Sequence, residues 1–372
     1  MSCASLRSLS GISFRLERNV LLTIVLLGIA ACQSPPVSKS ETPQGQWLYP
    51  EPPEITRYRY VFELRRSSDV QAVSTMEKLQ LLVTDSEVQE FAFLKPISVA
   101  AHAGVIYVSD SLLKVIHVYD IPRHRYFQFG LRREGALQQP LGIDVDEHNQ
   151  VYVADARARR VIVFDALGLY IRDIGGGDVK FSRPISVASN RSGDRIYVLD
   201  NAGVNSNDHR VLMFDDKGSQ IGTIGRRGNA PGEFNLPRDL TVGADGTLFV
   251  LDTGNFRVQA FDPDGQFLFA WGAAGNHPGQ FARTRAIAAD DQGHVFVTDA
   301  AFGNIQVFTD KGQLLMPMGR FEHADLPGNF AMIAGIAADE GGRIYVVDQL
   351  FKRVSIFAPE PNSSDNGKVG IQ

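Results

Sequence analysis

Arginines between short β-runs are the side chains of this 372-residue sequence with the clearest capacity to bind a ligand. A guanidinium group donates paired hydrogen bonds to carboxylates and phosphates, so a cluster of arginines suits an acidic peptide, a glycan or a phosphate. The competing interpretation is that they are ordinary solvated loop residues. The predicted ligand-binding residues are Arg238, Asp239, Arg285, Arg227 and Arg133, from a wider set that includes Arg132, Arg226, Arg283, Arg320 and Glu322.

Three histidines and six aspartates could also do chemistry. His209, His277 and His323 would bind zinc if the fold brought them to one point, although their spacing is unlike that of a compact zinc motif. The six aspartates end six similar β-runs, and a role shared by all six favours turn capping and pairing with arginine over catalysis. The sequence contains no His-Glu-x-x-His element or nucleophile elbow, and we assign no catalytic residue. We therefore expect no cofactor, with zinc or calcium as the ions left open.

The elements that carry these residues form a repeat. A β-run ending in aspartate recurs six times, with the aspartates 45, 45, 52, 47 and 49 residues apart, a pitch typical of four-stranded propeller blades. Alternation of polar and apolar residues is nearly lost in these runs, which predicts strands buried on both faces. The runs are residues 106–110 (IYVSD), 151–155 (VYVAD), 196–200 (IYVLD), 248–252 (LFVLD), 295–299 (VFVTD) and 344–348 (IYVVD).

Each unit contains four short strands in the same order, joined by turns such as Asp245-Gly246 that supply the glycine of a tight hairpin. The last unit has only three, and residues 58–64 (YRYVFEL) provide a fourth from the other end of the chain. An N-terminal strand in the last blade would close the ring and cover its edges.

Residues 236–262 follow the NHL repeat nearly throughout, and the resemblance extends over roughly residues 55–358. It implies an all-β fold, a six-bladed β-propeller of NHL-like repeats whose loops open on one face around a central channel. Arg238 and Arg285 stand where first strands begin and would lie at that mouth. An arginine that could pair with the repeated aspartate occurs at Arg160, Arg210, Arg257 and Arg353, but Val115 and Asn304 replace it in blades one and five.

Two segments depart from the repeat. Blade three has five extra residues within 201–209, which predicts a longer loop. Residues 65–94 fit no blade, and Val70, Val73, Met76 and Leu79 have helix-like spacing within them. This insertion is either packed against the propeller or a surface for a partner.

Composition excludes several classes of protein. The net charge of -5 shows no basic excess, so nucleic acid is not an expected partner. Cys3 and Cys32 are the only cysteines, which excludes a disulfide framework and a cysteine-based zinc site.

The first residues predict export. Arg15 and Arg18 precede an apolar run over residues 20–31, and residues 29–32 (IAAC) resemble the lipobox of bacterial lipoproteins. The resemblance implies cleavage before Cys32 and a diacylglyceryl group on its thiol; the alternative is an ordinary cleaved signal. Gln33 in place of aspartate favours the outer membrane, with the protein facing the periplasm. The domains are then a signal peptide (1–31), lipidated cysteine and flexible linker (32–46), propeller (47–359) and polar tail (360–372).

Two functions remain. The favoured one is a lipid-anchored scaffold of the cell envelope that binds a protein or saccharide at the channel mouth. The alternative is a metal-dependent propeller enzyme, a lyase or lactone hydrolase. Convergence of His209, His277 and His323 would make the site resemble that of the peptidyl-hydroxyglycine amidating lyase, a related six-bladed propeller.

Overall fold

A computed structural model describes residues 47–71, 90–175 and 179–360, and within them 25 strands form six antiparallel sheets. The first strands of successive sheets contact one another in a closed circle. The fold is therefore all-β, a six-bladed propeller, as the sequence predicts. No helix among these residues has the length and apolarity needed to cross a membrane.

The strands follow the order of the chain, four to a blade. Blades one to three contain β3 (Pro96–His102), β4 (Val105–Asp110), β5 (Val115–Asp120), β6 (Arg125–Phe129), β7 (Pro140–Val145), β8 (Val151–Asp155), β9 (Arg160–Phe164), β10 (Tyr170–Ile174), β11 (Pro184–Ser189), β12 (Arg195–Asn201), β13 (His209–Asp215) and β14 (Gln220–Ile224). Blades four to six contain β15 (Asp239–Val242), β16 (Leu248–Asp252), β17 (Arg257–Phe261), β18 (Phe267–Trp271), β19 (Thr284–Ala289), β20 (His294–Asp299), β21 (Asn304–Thr309), β22 (Leu314–Met318), β23 (Ile333–Ala338), β24 (Ile344–Asp348) and β25 (Arg353–Pro359). Single-turn 3₁₀ helices span Ser67–Asp69 and Thr253–Asn255.

The second and third strands of each blade form the core. Strands β8, β16 and β24 are buried at every residue, because each lies between two neighbouring blades. Their side chains enter six apolar clusters, and each cluster joins adjacent sheets. The predicted hairpin glycine is also present, since Gly246 adopts a φ of 83° between β15 and β16.

The ring closes within the sixth blade. Strand β2 (Tyr58–Leu64) pairs antiparallel with β25, so the predicted N-terminal strand is confirmed. The two-residue strand β1 (Leu48–Tyr49), which no sequence pattern predicted, adds a fifth strand outside β2. It covers an edge that would otherwise leave backbone groups unpaired.

An ion-pair network reinforces this closure. Arg353, 0% exposed on β25, donates to Glu63 of β2 at 3.1 Å and to Asp325 of the preceding loop at 2.8 Å. Arg65 donates to the same two acids, at 2.6 Å and 2.7 Å. The backbone carbonyls of Leu326 and Asn329 accept two further hydrogen bonds from Arg353. The first and last strands are therefore held by charged hydrogen bonds in addition to the β-ladder.

The two segments that depart from the repeat differ in how much of them the structure describes. Strands β12 and β13 are joined by residues 202–208, longer than the four-residue connections at this position in other blades, as predicted. The ends of the insertion are held together, because Arg66 bridges Ala92 and the amide of Ser67 donates to Phe91 at 2.8 Å. Val73, Met76 and Leu79, the predicted signal peptide and linker (residues 1–46) and residues 361–372 lie outside the described residues.

We expect Arg353→Met to lower the free energy of unfolding by about 3–5 kcal/mol. The change removes four hydrogen bonds and leaves the acids of the network without their buried cation. Arg343→Met in the same blade is the matched control, since the Arg343 side chain is 54% exposed and pairs with Asp339 at 3.5 Å. Its cost should stay below about 1 kcal/mol. Denaturant unfolding of both variants measures the difference, and equal costs would show that the network does not stabilise the ring.

Candidate functional site at the channel mouth

The six repeated aspartates position the backbone around one end of the central channel. All six are fully buried. In blade six, the Asp348 carboxylate accepts hydrogen bonds from the amides of Ala331 and Met332, just before the first strand, at 2.8 Å and 3.1 Å. It also accepts from Leu350 and Phe351 of the following turn, at 2.8 Å and 3.0 Å. One carboxylate thus joins the start of the first strand to the turn after the second, and the predicted turn-capping role is confirmed.

The predicted pairing of these aspartates with arginine holds in only two of the four blades. Arg210 pairs with Asp200 at 3.0 Å, and Arg257 pairs with Asp252 at 2.8 Å. For the other two the prediction is wrong, because Arg353 forms the closure network and Arg160 pairs with Asp173 of β10 at 2.6 Å. Both of these arginines find acids on the fourth strand of their own blade.

The two blades without the arginine satisfy their aspartates by other means. In blade one, buried His117 lies 3.8 Å from Asp110. Burial by itself would raise the pKa of Asp110, but His117 and backbone amides lower it to about 2. In blade five, backbone amides of Ala282, Arg283 and Ala301 supply the donors to Asp299.

Hydrogen bonds between neighbouring blades fix the channel wall. Asn201 of blade three donates to the carbonyl of Pro237 in blade four at 2.7 Å. Gln349 of blade six donates to the carbonyl of Pro96 in blade one at 2.9 Å. Ser109 makes the same kind of contact, to Leu141 of blade two at 2.7 Å. The mouth is therefore built on a rigid frame.

A cavity of about 550 Å³ opens at this end of the channel, a size typical of sites for small ligands. Arg238, Asp239 and Arg285 line it, as predicted, and Lys95 and Arg183 join them. Lys95 and Arg183 were not among the residues predicted from the sequence. They occupy the position directly before the proline that begins β3 and β11, and alignment of the repeats at this proline, which the first four blades share, could have found them.

The arginines of the mouth make no direct contact with an acceptor among the described residues, although Asp239 attracts Arg238 and Asp299 attracts Arg285 from nearby. Among the described residues, the side chains of Arg183, Arg238 and Arg285 form no ion pair or hydrogen bond, and Nε of Arg285 is buried without an acceptor. Burial and the neighbouring Arg285 lower the pKa of Arg238 to about 10. Burial and Arg283 lower the pKa of Arg285 as well. Arg183 and Arg238 are exposed and Arg285 is half-buried, so guanidinium groups without a bound acceptor are accessible to an anion in this cavity.

Asp239 is the carboxylate at the floor of this cavity. Its oxygens accept hydrogen bonds from Oγ of Ser186 in blade three at 2.6 Å and from the amide of Ile287 in blade five at 2.9 Å. Burial raises its pKa to about 6, against the opposing effect of these two bonds. Asp239 therefore ties three blades together, and its hydrogen bonds already engage both oxygens.

The other predicted residues lie elsewhere. Arg227 and Arg133 are exposed and outside the cavity lining, so their predicted place at the mouth is not observed. Arg227 donates instead to the carbonyls of Val204 and Ser206, at 2.8 Å and 3.1 Å, and holds the long loop of blade three. Its effect on the site is indirect, since Val204 lines the cavity.

The three histidines are not brought together. His209 is buried and its Nε2 lies 3.1 Å from the carbonyl of Gly203, whereas His277 and His323 are exposed in separate loops. Within residues 47–71, 90–175 and 179–360, no three histidine, cysteine, aspartate or glutamate side chains are grouped so that they could hold a metal ion.

The opposite end of the channel has a smaller cavity, of about 160 Å³, with acidic side chains at its rim. Glu147, Asp291 and Glu340 belong to three different blades. Arg191 reaches across to Asp291 at 2.9 Å and lies 3.9 Å from Glu147. Deeper in, Asp144 accepts hydrogen bonds from Ser189, and burial raises its pKa to about 6.

Comparisons with known proteins agree with the fold. A protein-family model, DUF5128, described as a 6-bladed beta-propeller, matches residues 189–267. A solved structure of a protein of unknown function from Bacteroides thetaiotaomicron is 14% identical, with a TM-score of 0.55, and the match covers 80% of this chain and 77% of that one.

Two enzymes are also similar in structure. Catalytically inactive virginiamycin B lyase from Staphylococcus aureus, solved with quinupristin, is 13% identical, with a TM-score of 0.51 and coverage of 74% of this chain and 85% of that one. A gluconolactonase from Xanthomonas campestris is 17% identical, with a TM-score of 0.51 and coverage of 72% and 87%. At these identities the similarity shows a shared propeller fold alone.

The raised pKa of Asp239 predicts a pH effect on stability. In the folded protein the carboxyl keeps its proton up to about pH 6, whereas its ordinary pKa is 3.8. Its contribution to the free energy of unfolding is therefore complete below pH 3.8 and is lost as the pH rises through 6. In Asp239→Asn this decline should be absent. Urea unfolding of both proteins between pH 4 and pH 7 measures it, because other titrating groups cancel in the difference. Parallel stability profiles would contradict the prediction.

Proposed function

We propose that this protein is a lipid-anchored scaffold of the cell envelope, and that its channel mouth binds an anionic group of a protein or saccharide ligand. The observation that carries the binding role is the convergence on one cavity of three arginines whose side chains have no hydrogen-bond or ion-pair partner among the described residues. Binding an anion there would supply the acceptors that the described part of the protein does not offer them. The acidic net charge of the whole chain makes this local positive charge selective, since it repels anions elsewhere.

The anchor rests on residues 29–32 and on the apolar run before them. A lipidated cysteine followed by a polar, proline-rich segment would let the propeller stand away from the bilayer. The metal-dependent alternative of the sequence analysis has a direct test, which is elemental analysis of the purified protein for bound zinc or calcium.

Binding can be measured with two acidic probes, an oligogalacturonate and a glutamate-rich peptide, by calorimetry on the full chain purified in detergent. We expect at least one to bind, and Arg238→Gln/Arg285→Gln to weaken that binding by about tenfold or more, because two charge-assisted contacts are lost. Arg133→Gln is the control on an exposed arginine outside the cavity and should bind as the wild type does. Binding that the double variant leaves unchanged would refute the proposed site.

Lipidation can be tested by growing bacteria that express the full chain with an alkyne analogue of palmitate. Cys32→Ala should abolish labelling, because the thiol is the acceptor of the diacylglyceryl group. Cys3→Ala provides a matched control, since residue 3 lies in the segment expected to be removed, and should be labelled normally. A wild-type protein that is cleaved but unlabelled would instead identify an ordinary signal peptide.

A further inference from the structure

The cavity at the mouth has two chemically different halves. Ring order places blades three, four and five opposite blades six, one and two. Arg183, Arg238 and Arg285 come from the first group, as does Ile185, whereas Lys95 comes from blade one of the second group. Ile97, Leu141 and Ala334 line the cavity from the second, at the repeat positions that Arg238 and Arg285 occupy in theirs. Guanidinium groups and aliphatic side chains therefore face each other across the channel.

The aliphatic half is not part of the packed core. Ile97 and Leu141 are half-buried and face the open cavity, although most apolar side chains on neighbouring strands are fully buried. Covering this apolar surface with an apolar ligand group is favourable, because it removes the surface from contact with water. A fully hydrated anion, such as inorganic phosphate, would leave that surface uncovered.

The floor of the cavity leaves the preference for an anion in place. Asp239 lies at the boundary between the two channel cavities and lines both, and its oxygens already accept hydrogen bonds from Ser186 and Ile287. This one carboxylate faces three arginines and Lys95 in the lining, so the lining keeps a net positive charge. The cationic lining and the aliphatic wall together describe an anionic group on an apolar stem.

We infer that the mouth binds a carboxylate carried on a short aliphatic stem, with the carboxylate against Arg238 and Arg285 and the stem against Ile97 and Leu141. Two sources present this chemistry, the free carboxyl end of a polypeptide with an aliphatic last residue and a fatty acid. The inference rests on the proposed anion site and names the class of ligand that it takes.

The test uses calorimetry on the full chain with four probes: N-acetyl-alanyl-leucine, its C-terminal amide, octanoate and acetate. We expect one of the two aliphatic acids to bind with 1:1 stoichiometry, and acetate to bind at least about tenfold more weakly than it because acetate has no stem. Tighter binding of the peptide acid would identify a polypeptide end, in which case its amide should also bind at least tenfold more weakly. Tighter binding of octanoate would identify a fatty acid.

Variants separate the two halves of the site. Ile97→Thr keeps a β-branched side chain in β3 but places a hydroxyl on the aliphatic half of the cavity. It should weaken binding of the aliphatic acid several-fold and leave the affinity for the acidic probes unchanged. Leu141→Asn in blade two is the second variant should the first be unstable, with thermal unfolding as the check on both. Arg133→Gln should leave every affinity unchanged.

The outcomes distinguish this inference from the proposed function. If an acidic probe binds through Arg238 and Arg285 but neither aliphatic acid binds, the anion site stands and the inference is overturned. Equal binding of acetate and the aliphatic acids, or an aliphatic acid unaffected by both wall variants, overturns it as well. If no anion binds in a manner that depends on the two arginines, both proposals fail.

Discussion

Strand β2 begins near the start of the described chain and pairs with β25 at its end, and the remaining structure depends on that pairing. Tyr58 and Leu64 of β2 enter the two apolar clusters that flank blade six, so loss of this pairing would expose part of both clusters to water. Burying the ions of the closure network costs free energy, because they must be desolvated. The hydrogen bonds of Arg353 to two acids and two backbone carbonyls offset that cost.

A fixed backbone with variable side chains follows from the six buried aspartates. The repeated aspartate accepts a hydrogen bond from the backbone amide at one repeat position. The residue at that position is Lys95 in blade one, Gln139 in blade two, Arg183 in blade three and Met332 in blade six. Because the contact uses only the backbone, the side chain at this position is free to differ from blade to blade. The repeat therefore specifies the frame of the mouth, and the departures from it specify its chemistry.

This division explains what could be predicted. Blade number, strand order and the closing strand follow from a periodicity repeated six times, and each unit corroborates the others. Arg238, Asp239 and Arg285 could be placed because each lies within one residue of the start of a first strand. Positions within loops depend on conformations that no period describes, which is why Arg227 and Arg133 were assigned to the mouth but lie outside its lining.

The repeat pattern also could not predict which acid each of its arginines pairs with. Arg160 and Arg353 have the same place in their blades as Arg210 and Arg257, but an acid on the adjacent outer strand lies closer to them than the repeated aspartate does. Strand β1 has only two residues, too few for any alternation to show.

One end of the channel is lined by three arginines and a lysine, and the other by Glu147, Asp291 and Glu340, whose negative charge Arg191 offsets only in part. Such a molecule has an electric dipole along its propeller axis. An anion diffusing nearby is attracted to one face and turned away from the other before any contact forms, over a range of about 8–10 Å at physiological ionic strength. Capture at the mouth is therefore directional, and added salt should slow association there more than it speeds release.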